Sequence, residues 1–187
     1  MTDQRDLLLS ALRRYTPDDA DEKRFLREIT DFIKSNPHCF ERTNQNGHVN
    51  GAAWVLSPDK QKVLLTHHKK LNRWFQPGGH SDGDPDTARV ALREATEESG
   101  IPGIQFITKD IFDIDVHIIP ANTTKGEPEH KHYDIRFLLQ APSENYVVSA
   151  ESHSLKWVSA RELEAMGEAL SPSMRRMLLK WQHLSKG

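Results

Sequence analysis

Apolar residues recur along this chain with two different periods, and each change of period marks a new element. At the start Leu8, Leu9 and Leu12 share one side of a helix over residues 3–14, which Thr16-Pro17-Asp18-Asp19 breaks. In the next segment Phe25, Leu26, Ile29, Phe32 and Ile33 follow helical spacing, giving a buried stripe on a helix over 20–35 that Ser35-Asn36-Pro37 ends. After the polar linker Thr43–Gly47 the period shortens. Residues 48–56, with Ala52-Ala53-Trp54-Val55-Leu56 at their centre, read as a strand. Ser57-Pro58-Asp59-Lys60 reads as a turn, and 62–68, around Val63-Leu64-Leu65, as the partner strand of a hairpin.

Two alternating segments follow further on. Phe112, Ile114, Val116 and Ile118 alternate with Asp113, Asp115 and His117, which predicts a half-buried strand. Tyr133, Ile135, Phe137 and Leu139 alternate with His132, Asp134 and Arg136, which predicts its neighbour. Residues 121–130 and 141–154 read as loops. A short strand Leu155–Val158 and a helix over 160–166 come next. A last helix opens at Ser171-Pro172, with Met174, Met177, Leu178, Trp181 and Leu184 on one face. The order strands, helix, strands, helix predicts an α/β fold, an α/β/α sandwich around a mixed β-sheet. It divides the chain into an N-terminal helical extension over 1–42 and a main domain over 43–187.

Between the two strand groups lies GGHSDGDPDTARVALREATEESGI, residues 78–101. Asp84 is a good N-cap and Pro85 suits the first helical position. Gly100 suits the left-handed position after the last turn, and Pro102 stops continuation. Ala88, Ala91, Leu92, Ala95 and Ser99 give a small-residue face that can sit close against a sheet. Glu94, Glu97 and Glu98 project from one patch. Such a patch is either a solvated face or a cation site. The single Arg93, four residues before Glu97, cannot neutralise all three, and all-oxygen donors suit Mg²⁺ or Mn²⁺ better than Zn²⁺.

This stretch resembles the box of the Nudix (MutT-like) hydrolases: Gly, five residues, Glu, seven residues, then Arg-Glu-U-x-Glu-Glu-x-Gly-U, with U bulky and apolar. Gly79 stands fourteen residues before Arg93, and Arg93, Glu94, Glu97, Glu98, Gly100 and Ile101 match. Ala95 is small where U stands, and Pro85 replaces the first Glu, with Asp84 beside it. The resemblance implies metal-dependent hydrolysis of a diphosphate linking a nucleoside to another group. It implies metal ligation by Glu97 and Glu98, shared with Glu94 and completed by the backbone carbonyl of Gly79, with Arg93 orienting Glu97. It offers Glu94 as general base, with Glu151 as second candidate. Lys69, Lys70 and Arg73 are candidates for holding a phosphate, or are solvated charges. His80, with His130 or His132, is expected to contact phosphate or a second metal.

Composition narrows the alternatives. A net charge of −2 over 187 residues gives no general reason for nucleic-acid binding, and the substrate expected is a small nucleotide. No apolar run is long enough for a signal peptide or a membrane span, so a cytoplasmic location is expected. Cys39 is the only cysteine, which excludes an internal disulfide. The N-terminal helices could pack on the chain's own core, cover a substrate, or join two copies in a homodimer. Two other functions share the resemblance: a nucleotide sensor without turnover, and an isopentenyl-diphosphate isomerase-like enzyme, which would want a reactive Cys in its pocket.

Overall fold

A computed structural model describes residues 3–68, 72–124, 126–148 and 152–184. The elements are α1 (Asp6–Arg14), α2 (Ala20–Ser35), β1 (Gly47–Leu56), β2 (Lys62–His68), β3 (Arg73–Phe75), β4 (Gly78–His80) and α3 (Thr87–Ser99). They continue with β5 (Gln105–Ile119), β6 (His130–Gln140), β7 (Ser152–Ser159), α4 (Ala160–Ala165) and α5 (Pro172–Leu184). The strands form one sheet of order β3-β2-β1-β6-β5, with β4 paired to β1 and β7 to β2. Helices flank this mixed sheet, the α/β class expected from the element order.

The chain folds as two compact units. The first is Met1–Ala52, Gly78–Ala91 and Lys109–Phe137. Here α1 and α2 bury Leu8, Leu12, Phe25, Ile29, Phe32 and Ile33, the stripes read from their spacing. Asp19 caps α2 by accepting from the Glu22 N–H (3.0 Å). The Phe32 ring stacks on Tyr133 of β6 at 4.0 Å, and Glu22 is fully buried, accepting from the Ile114 N–H of β5 (3.4 Å). The Tyr15 hydroxyl also donates to Glu22, and Lys131 pairs with Glu28 at 2.6 Å. The helices thus pack on the chain's own strands.

The first turn of α3 lies against β1 at Gly51. A Cβ there would stand 2.5 Å from the Thr87 carbonyl oxygen and 2.8 Å from Ala91 N and Val90 Cβ. The helix starts at Thr87 rather than at Pro85, and the expected cap moves with it. Asp86 accepts from the Arg89 N–H with its side chain and from the Val90 N–H with its carbonyl, both at 3.0 Å. Asp84 instead accepts from the Asp86 N–H (2.9 Å) and binds the Arg89 guanidinium (2.6 and 2.8 Å). Asp84 thus closes a local turn onto the residue two ahead, and Asp86 takes the capping position.

The second unit is Ala53–Pro77, Leu92–Thr108 and Leu138–Gly187. The hairpin closes at Leu56↔Val63, through a turn in which the Lys60 N–H donates to the Ser57 carbonyl (2.9 Å). Strand β2 takes β3 on one side and β7 on the other, with Leu64 opposite Trp157. Helix α5 buries Met174, Met177, Leu178 and Trp181, and Trp181 meets Trp54 edge-on at 6.2 Å. Leu184, assigned to that face, is 60% exposed.

Four strand readings need correction. Strands β3 and β4 stand where a connection and a glycine loop were expected. Three residues carry no readable alternation, and their partners β2 and β1 supply the order. Strand β7 starts three residues earlier than expected, at Ser152. Strand β5 runs from Gln105 and is buried on both faces over 111–115, whereas Ile118, read as inward-facing, is 57% exposed.

Candidate functional site

On α3 the Arg93 guanidinium donates to Glu94 at 2.7 Å, its sequence neighbour, rather than to Glu97. Glu94 and Glu98 are half-buried and Glu97 is exposed. Among the described residues the Glu97 side chain makes no hydrogen bond or ion pair. Three carboxylates within five residues, with one guanidinium between them, form an oxygen-only, net negative patch. That donor set fits a hard divalent cation and does not suit a soft one. Gly100 ends the helix in the expected left-handed conformation (φ +64°), its N–H donating to the Thr96 carbonyl at 2.8 Å.

Gly79 lies on β4, opposite Gly51 of β1, with His80 opposite Asn50 and Gly78 opposite Ala52. A Cβ at Gly78 would meet the Ala52 Cβ at 2.5 Å, so the glycine pair answers to strand packing as well as to any ligand. Arg73 opens β3 and is exposed. Trp74 stacks on His67 at 4.9 Å. Lys69, Lys70 and Glu151 lie outside the described residues.

In the first unit the histidines gather. Around the His48 ring, on β1, stand His80 at 4.9 Å, His130 at 5.1 Å and His132 at 4.5 Å between centroids. His117 of β5 stands 5.4 Å from His132. Burial, then the positive potential of neighbouring histidines, pushes His48 down to about 4. Burial also pushes His132 down to about 3, against the raising pull of Asp134, and lowers His80. These three rings are therefore neutral at pH 7. His117 is raised instead, because Asp134 and Asp115 outweigh its burial.

Beside the histidines is a buried charge network. The Arg136 guanidinium reaches Asp134 at 3.0 Å, Asp113 at 3.1 Å and Asp115 at 3.4 Å. The Asn50 amide donates to Asp134 at 3.2 Å. His117 and Arg136 hold Asp134 low despite its burial. Sequence reasoning noticed His80, His130 and His132 but missed His48 and the role of these acids. The available signal was a run of polar residues at every second position of two neighbouring strands, with opposite charges among them.

The NUDIX domain model matches residues 47–180. The "Probable DHNTP pyrophosphohydrolase" of Lactococcus lactis subsp. cremoris is 27% identical over 136 residues, covering 71% of this chain and 77% of that protein. The asymmetrical bis(5'-nucleosyl)-tetraphosphatase of Rattus norvegicus is 28% identical over 88 residues, 45% of this chain and 60% of that protein. The crystal structure of a C. elegans Ap4A hydrolase binary complex superposes with a TM-score of 0.55 at 19% identity, covering 74% of this chain and 98% of that one, which is a likeness of fold.

Proposed function

The chain belongs to the NUDIX domain family as one of its pyrophosphohydrolases, and from that premise we propose that it cleaves the pyrophosphate bond of a nucleoside diphosphate linked to another moiety. The observation that carries the reading is the exposed carboxylate of Glu97, flanked by half-buried Glu94 and Glu98 on the helix that bears the family's glutamates. Glu97 and Glu98 would hold Mg²⁺ or Mn²⁺, with Glu94 close by. When bound, the ion supplies charge neutralisation for the diphosphate and acidifies a water. Glu94, oriented by its 2.7 Å bond from Arg93, is the candidate to accept that water's proton. Arg93 also lowers the repulsion among the three carboxylates, so the patch can form before any ion arrives.

The sensor reading lacks support in these residues, since the box glutamates are present. The isomerase reading is opposed by Cys39, which is fully buried and whose thiol burial pushes up to about 11. Such a thiol is inert at neutral pH.

The test is release of a nucleoside monophosphate, read by chromatography, from a panel of nucleoside diphosphate derivatives, with Mg²⁺, with Mn²⁺ or with chelator. Turnover is expected only with metal, and Glu97→Gln is expected to lower kcat by at least about 100-fold, the scale of about 3 kcal/mol of lost charge stabilisation. Metal-independent turnover, or full activity in Glu97→Gln, would refute the proposal.

A further inference from the structure

We propose that His48, His130 and His132 form a second metal site, one for a divalent late transition ion of zinc type, built from imidazole nitrogens alone. It uses none of the glutamates of α3. The ligating atoms of the three histidines all lie within 4.8 Å of one another. Zinc–nitrogen bonds of about 2.1 Å place ligand nitrogens roughly 3.4 Å apart, so modest ring rotations close the set. The fold brings them together simply. His130 and His132 are two apart on β6 and so share a face, and β1, which carries His48, is the neighbouring strand.

Three features point to a ligand rather than to packed rings. Both ring nitrogens of His48, which is 2% exposed, are buried and lack any hydrogen-bond partner among the described residues. So does Nε2 of His132. Buried polar atoms are normally satisfied, and since each neutral ring keeps one lone-pair nitrogen, His48 and His132 can each offer one lone pair to a common acceptor. The third feature is His130. Its Nδ1 lies 2.8 Å from the Pro128 carbonyl oxygen. A carbonyl can only accept, so Nδ1 carries the proton and Nε2 keeps its lone pair. That arrangement, a ring N–H anchored on a backbone carbonyl, is the usual outer support of a metal-bound histidine. The neutral state of His48 and His132 at pH 7 is also the ligating state.

A second group, His117, His132 and Asp134, has similar spacing. Its other members are committed elsewhere. Asp134 receives Arg136 and Asn50, and His117 Nδ1 lies 3.3 Å from Asp115. The three-histidine set keeps its lone pairs available. Nitrogen donors exclude Mg²⁺ and Ca²⁺ and select ions such as Zn²⁺ or Co²⁺. With three neutral ligands the ion keeps its full charge, so its remaining position suits water or an anionic oxygen.

The test titrates chelator-stripped, full-length protein with Zn²⁺ by calorimetry and with Co²⁺ by visible absorption. One equivalent of Zn²⁺ is expected, with a rise in melting temperature. The intense visible bands of four-coordinate Co²⁺ are expected as well. His130→Ala, at a half-buried position, should keep the native circular dichroism and weaken Zn²⁺ binding by at least about tenfold. His48→Gln should do the same. Glu97→Gln should leave the Co²⁺ spectrum unchanged, which separates this site from the hydrolytic one. The proposal is overturned if the native chain binds no Zn²⁺ at micromolar concentration. It is equally overturned if a folded His130→Ala binds Zn²⁺ as tightly as the native chain, or if Glu97→Gln abolishes the Co²⁺ spectrum.

Discussion

Replacing Gly51 with Ala tests the contact on which the position of α3 depends. The backbone at Gly51 is not in the left-handed region, so alanine is compatible with the local conformation. Two opposing effects remain. Alanine restricts the unfolded chain, which alone would stabilise by about 0.4–1 kcal/mol. Against this, the new Cβ meets the Thr87 carbonyl oxygen at 2.5 Å, Ala91 N at 2.8 Å and Val90 Cβ at 2.8 Å. Ordinary contact begins near 3.4 Å, so the helix must retreat by up to about 0.9 Å. Two of the three atoms are backbone and cannot rotate aside. Overpacking of this kind costs about 1–3 kcal/mol, and the rigid neighbours place it toward the upper end. The net expectation is a loss of about 1–2 kcal/mol. For a chain of this size that is a fall in Tm of roughly 2–8 °C. Thermal and urea unfolding followed by circular dichroism measure it, and turnover should fall too, since the displaced helix carries Glu94, Glu97 and Glu98. A Tm equal to or above that of the native chain would show that α3 does not rest on Gly51.

Arg136→Met removes the guanidinium from Asp113, which is fully buried, and from Asp115 and Asp134. Breaking a buried pair on one side costs about 3–5 kcal/mol, and a loss under about 1 kcal/mol in urea unfolding would contradict the network. Tyr133 is pushed up to about 12, chiefly by burial and then by Glu28, against roughly 10 in the unfolded chain. Its contribution is therefore fully present below about pH 10 and is lost as pH rises toward about 12. The urea midpoint should fall over that window, and Tyr133→Phe should flatten the fall. An alkaline limb that the substitution leaves unchanged would assign the loss to other groups.

What the sequence disclosed, and what it withheld, follows from the range of the interactions involved. Helix α2 was legible because its stripe, from Phe25 to Ile33, is set by residues three and four apart. The box on α3 was legible because its spacing is fixed within one helix. The start of that helix was misplaced by two residues, because Asp84 and Asp86 both make good caps and local spacing does not choose between them. The alternating strands misled for a deeper reason. A period of two says that a strand has two faces and says nothing about which is buried. Asp113, Asp115 and Asp134 looked like a solvent face because each alone would be too costly to bury. Arg136 removes that cost, but it stands more than twenty residues from Asp113 and Asp115, and only the β5–β6 neighbourhood brings them together. The same holds for His48, which looked like an ordinary polar residue at the head of an apolar strand. Its meaning comes from His130 and His132 on β6, more than eighty residues away, so a local reading finds the carboxylate site and misses the imidazole one.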